Sequence, residues 1–248
     1  MNNFGKIKAM GGDILAAKAF SRKQAIFNEK ASLYAKQGVI TTPGYLRLEI
    51  TAPGTAVSTI NWNTLATSGI VLNTERRLKL ADTFTICDYS FYLGKTETPG
   101  ESLSAEAAQA RETLHTFPNP QIFGTSADEL EAIYNGYISL RVDTTTFLDS
   151  IPVKQFYRVG TSQQGVGSSA TDNNPVQRDE WGLSMYGKNE LLPTIELNGQ
   201  SNIEWALTLP TATQLTAETG GVNLVLILTG FLNQGAATVQ RMIQKRLR

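Results

Sequence analysis

Residues able to do chemistry are scarce in this chain. Its 248 residues hold one His and one Cys. A zinc cluster or a disulfide framework needs several of either, so both are excluded. His115 follows a segment of helical pattern and precedes Phe117-Pro118, with no Ser or Cys at a spacing that makes a nucleophile pair. It reads as a helix-end histidine interacting with the macrodipole. Cys87 lies in an apolar run beside Asp88 and reads as a small buried hydrophobe. Gly165-Val166-Gly167-Ser168-Ser169-Ala170 matches G-x-G-x-x-A. A dinucleotide site would need a helix next, and Thr171-Asp172-Asn173-Asn174-Pro175 forms turns instead. No Walker lysine and no G-x-S-x-G elbow occur. Asp128 and Glu131 share one exposed helical face, without the cleft that paired-acid catalysis requires. The expectation is a protein with no catalytic residues, no metal ligands and no cofactor, and therefore not an enzyme.

Charge speaks more clearly. Lys+Arg and Asp+Glu are 22 each, so the net charge is zero and a uniformly basic nucleic-acid binder is disfavoured. The balance hides an asymmetry. Residues 1–42 carry seven basic residues (Lys6, Lys8, Lys18, Arg22, Lys23, Lys30, Lys36) against Asp13 and Glu29, a net +5. Residues 235–248 carry Arg241, Lys245, Arg246 and Arg248 with no acid, a net +4, which leaves −9 for the body. Basic ends on an acidic body suggest arms that meet an anionic partner, lipid or genome. Aromatic residues are 8% and are not interleaved with basic ones on strands, so a base-stacking platform is not indicated.

The elements that must position these groups fall into two kinds. Asp13–Lys36 reads as a helix, capped by Asp13 and stopped by Gly38. Ala19-Phe20, Ile26-Phe27 and Leu33-Tyr34 recur every seven residues along one side. Lys23 and Lys30 fall inside that apolar arc, where a helix buried in a core would not tolerate them. On a membrane surface or a partner they could snorkel to phosphates or water. Phe20, Phe27 and Tyr34 are then candidate interface residues. Neither a signal-peptide pattern nor a bilayer-length apolar run is evident, so folding in a cytoplasm is expected.

From Thr41 onward the chain reads as strands separated by turns. Pro43-Gly44 and Pro53-Gly54 mark turns. Tyr45–Ile50, Ala56–Trp62, Gly69–Leu72, Thr83–Leu93, Tyr137–Val142, Phe147-Leu148, Phe156–Val159, Ile195–Leu197, Ile203–Leu209 and Val222–Leu232 carry strand patterns. Short helices are expected over Ser104–Leu114 and Ser126–Tyr134, a long polar loop over Gly160–Gly187, and a basic helix over Ala236–Arg248. Around Asp88–Leu93 the alternation leaves apolar groups on both faces. This suggests that one side meets a second sheet and the other, through Tyr89 and Phe91, a neighbouring subunit.

A weak repeat links Asn73–Leu80 to Asn202–Leu209 through N-x-E-x-x-L-x-L, and Tyr45–Ile50 to Tyr137–Val142. It favours two tandem β-sandwiches over one larger sandwich. The expected divisions are a basic arm over 1–42, a first sandwich over 43–135, a second over 136–234 with the loop 160–187, and a basic tail over 235–248.

A basic amphipathic helix, a pair of turn-rich sandwiches, a long polar loop, a basic tail and no active site together resemble a virion coat protein. More narrowly, the pattern resembles the double jelly-roll major capsid proteins of tailless icosahedral bacteriophages with an internal membrane. The resemblance is architectural, covers residues 13–248 and rests on no short motif. It implies an all-β viral jelly-roll fold, two rolls in tandem, and a major capsid protein that assembles as trimers into an icosahedral shell. It also implies lattice contacts with other capsid proteins such as the penton, and assembly in the host cytoplasm. Lys18, Arg22, Lys23, Lys30 and Lys36 would meet lipid phosphates, with Arg241, Lys245, Arg246 and Arg248 facing membrane or genome. Two full rolls need sixteen strands, whereas about twelve are evident. A single roll in a minor capsid, vertex or decoration protein, or a carbohydrate-binding β-sandwich module, are the alternatives.

Overall fold

A computed structural model describes residues 11–35, 37–66, 74–96, 112–123, 127–158, 187–213 and 221–237. Helix α1 (Gly11–Ala35) comes first, then strands β1 (Ile40–Thr51), β2 (Val57–Asn63), β3 (Thr83–Lys95) and β4 (Thr113–His115). Short helices α2 (Pro120–Phe123) and α3 (Ala127–Ile133) follow. Then come β5 (Tyr137–Val142), β6 (Thr145–Pro152), a 3₁₀ turn (Val153–Phe156), β7 (Lys188–Asn198), β8 (Ile203–Thr213) and β9 (Val222–Gln234).

The strands form two antiparallel sheets. One has the order β1-β9-β3, with β7 and β4 sharing the far edge of β3; the other has the order β2-β8-β5-β6. The chain is therefore all-β apart from its helices. Alternation explains the core. In β8, Ile203, Trp205, Leu207 and Leu209 point inward and the residues between them are partly exposed. They meet Leu46, Leu48, Phe84, Ile86, Leu224, Leu226 and Leu228 of the facing sheet. Trp62 Nε1 reaches across the sandwich and donates to the Leu224 carbonyl at 3.0 Å. Phe123, Leu130, Ile133, Tyr134, Val153 and Phe156 bring α2, α3 and the 3₁₀ turn into the same core.

The expected division into tandem sandwiches at 43–135 and 136–234 does not hold in the strand pairing. The first strand pairs with the last, Leu48 opposite Leu226, and β2 pairs with β8, Trp62 opposite Trp205. Both sheets draw strands from both halves, so neither half closes a core alone. The apparent repeat fails for the same reason. Its second copy is strand β8, whereas its first contributes only bridges at Arg76 and Leu78.

Local expectations fail at three further points. Pro43-Gly44 lies inside β1, which runs along a sheet edge, where a missing N–H costs no ladder bond. Thr113–His115 is a strand and not the end of a helix, while residues 97–111 lie outside the described residues. Phe156 closes a 3₁₀ turn instead of opening a strand. The long loop, the strand expected at Gly69–Leu72 and the tail beyond Ala237 lie outside the described residues.

Candidate functional site

Helix α1 lies against the five-stranded sheet, on the face away from the inter-sheet core. Arg22, Lys23, Ile26, Phe27, Lys30, Ala31 and Tyr34 form its partly or fully buried side, at helical spacing. Lys23 Nζ bonds the Asp88 carboxylate of β3 at 2.6 Å. Lys30 Nζ bonds Glu196 of β7 at 2.5 Å, and Tyr34 donates its hydroxyl to the other Glu196 oxygen at 2.6 Å. Arg22 reaches Glu190 at 3.2 Å. The Phe27 ring packs on Phe231 of β9, centroids 5.4 Å apart. Burial opposes ionisation of Glu196, yet its bonds from Lys30 and Tyr34 outweigh this and hold its carboxyl below the usual range.

These contacts explain why lysines sit inside the apolar arc. The sheet face supplies acids at their positions, and Thr229 donates a further bond to Asp88 at 3.0 Å. A docked helix tolerates the cations because each is paired. Tyr34 is 3% exposed and Phe27 half-buried, while Phe20, on the same side nearer the helix start, is 64% exposed. Lys18 belongs to α1, but its side chain, like Lys36 and the tail cations Arg241, Lys245, Arg246 and Arg248, lies outside the described residues.

Tyr89 and Phe91 correct the expectation of a subunit interface. They are 6% and 0% exposed, inside the chain's own core. Phe91 lies edge-on to Trp62 and Tyr134, and Tyr89 edge-on to Phe156. Apolar groups on both faces of Asp88–Leu93 leave the alternation unable to say which side meets the core, and a β-bulge lies between Ile86 and Asp88. Phe84 and Ile86 face the core before it, and Tyr89, Phe91 and Leu93 after it.

A second polar assembly occupies the same sheet nearer β1. Arg47 is ion-paired with both Glu49 and Glu112. Thr74 Oγ1 donates to Glu49 at 2.8 Å, and Asn223 Nδ2 to Glu112 at 2.9 Å. The Glu49 amide donates to Glu75 at 3.3 Å, and Arg77 forks onto Glu75 at 2.9 and 2.7 Å. The three carboxylate side chains are almost wholly buried. Burial, helped by the neighbouring Glu112 charge, raises the Glu49 carboxyl above its ordinary value despite Thr74 and Arg47. The network ties residues 74–77 and Glu112 to the sheet. Sequence reasoning missed it, because its members are scattered along the chain from Arg47 to Asn223.

The other chemistry-bearing residues stand apart. His115 pairs with Leu93 in the β3–β4 ladder, its ring edge-on to Phe123, and burial lowers its pKa. With no helix ending there, the macrodipole reading does not apply. Cys87 is buried at the bulge, and burial with the adjacent Asp88 pushes its thiol up to about 11. Asp128 is exposed, while Glu131 bonds Lys154 at 2.8 Å. The Gly165–Ala170 segment lies outside the described residues. Among the described residues, no group of three or more His, Cys, Asp or Glu side chains is placed to hold a metal ion. Among them, too, no helix is long and apolar enough to cross a membrane. Comparison with known proteins finds no matching family model, curated protein or solved structure.

Proposed function

We propose that this chain is a structural building block of a virion shell, a capsid subunit built on a single jelly roll. The observation that carries the reading is the strand order. Setting aside the three-residue β4, the eight strands run β1-β9-β3-β7 over β2-β8-β5-β6. The chain enters the two sheets as β1 then β2, β3 then β5-β6, β7 then β8, and returns with β9 beside β1. We read this order as the double Greek-key path of a jelly roll, an architecture used by capsid, lectin and cupin domains.

Chemistry separates these uses. Cupin sites gather imidazoles around a metal, and this chain has a single His. A sugar-stacking platform needs exposed aromatics grouped together; Trp62 and Trp205 are in the core, and the exposed Tyr45 lies in a different sheet from Tyr137 and Phe147. A basic arm on an acidic body favours a subunit that tiles with copies of itself and turns its ends toward an anionic interior. Trimers that close into a shell are the assembly unit of this reading, with weak contacts summed by symmetry. The anionic interior is a lipid surface, because the arm intersperses its cations with Ile26, Phe27 and Tyr34.

Light scattering on the chromatographed chain tests this. Mass should rise with concentration to a trimer or beyond. A single monomer mass at the highest soluble concentration overturns the reading.

A further inference from the structure

Among the cations expected to meet phosphates, the three whose side chains are described are already engaged. Arg22, Lys23 and Lys30 pair with Glu190, Asp88 and Glu196. The same helical face carries Ile26, Phe27 and Tyr34. The outward face offers Gln24, Asn28, Glu29 and Ser32, with no cation among its described exposed side chains, and the apolar Phe20 and Leu33 remain exposed at the margins of the sheet-facing side. As docked, α1 has Lys30 and Tyr34 withdrawn from any lipid surface, and Arg22 and Lys23, though partly exposed, already paired with acids of the sheet.

We propose that α1 is a latched lipid-binding arm: the face that would lie on an anionic bilayer is masked by the acidic face of the five-stranded sheet. The two states exclude each other. The sheet's three carboxylates occupy the places that lipid phosphates would take, and Phe231 takes the place of acyl chains against Phe27. The joint permits exchange, because α1 runs into a turn at Gln37-Gly38, where Gly38 has φ +72°. Lipid binding then pays for undocking, so affinity for the bilayer falls by the fraction of chains with the arm released. The inference rests on reading the chain as a coat subunit over lipid.

The test uses the full chain and vesicles of equal phosphatidylglycerol and phosphatidylcholine at low salt. Asp88→Asn with Glu196→Gln removes two anchors and should raise vesicle affinity about tenfold. A second variant, Phe27→Cys with Phe231→Cys, is joined by a reducible thiol crosslinker. The joined protein should lose vesicle binding and recover it on reduction. Equal binding before and after reduction overturns the latch and leaves the lipid reading standing. Fast amide exchange across α1 in the neutralised variant without vesicle binding, or with binding to duplex DNA alone, overturns the lipid partner and the latch together.

Discussion

Arg47 holds two buried carboxylates, Glu49 and Glu112, and its removal leaves both without their cation. Arg47→Met should cost about 3–5 kcal/mol, the range for breaking a buried ion pair from one side. Glu49→Gln should cost less, about 1 kcal/mol, because Arg47 keeps Glu112 as its partner and the amide oxygen can still accept from Thr74. Urea unfolding of the two variants checks the contrast. His115 supplies a pH dependence of known sign. Its pKa is lowered from 6.5 by burial, so the unfolded chain binds its proton more readily. The stability it contributes is complete above about 6.5 and is lost as pH falls through the folded value. Unfolding at pH 7.5 and below 6 should show that loss, and His115→Asn should reduce it. At this scale the sequence exposed the anomaly but not its resolution. Lys23 and Lys30 were visibly misplaced on an apolar arc, yet their acids lie 65 and 166 positions away, beyond any local pattern.

Among the elements, β3 governs the most and was read least well. Its bulge at Cys87 reverses which alternate residues face the core, and beyond it Asp88–Leu93 carries apolar groups on both faces, so alternation there could not tell core from interface for Tyr89 and Phe91. The neighbouring strand accommodates the bulge with Gly230. A Cβ there would stand 1.8 Å from the Thr85 carbonyl oxygen, which neither backbone can yield. Gly230→Ala should therefore cost about 3 kcal/mol or lead to misfolding, the upper end of overpacking effects. Thermal melts of this variant, with Gly54→Ala as the control in open space, make the comparison. Where alternation is unbroken, as in Tyr137–Val142 and Ile203–Leu209, sequence and structure agree on the strand, and its alternate apolar residues are the buried ones. The α3 helix, expected over Ser126–Tyr134 and observed over Ala127–Ile133, was also legible through its Asn135-Gly136 stop.

For the whole molecule, strand content was legible and strand partnership was not. Periodicity marks a segment as half-buried, but nothing in Leu48 names Leu226 as its partner. Similar strands therefore looked like a repeat, and a single interleaved sandwich like two. The coat reading now depends on that interleaving and on surfaces that work only in company. Phe20, Leu33, Ile40, Phe147 and Leu192 are each at least half exposed in the lone subunit. Electron microscopy of the purified chain at high concentration tests the central claim most directly. The account predicts regular closed particles or discrete symmetric rings. A field of separate single subunits would contradict it.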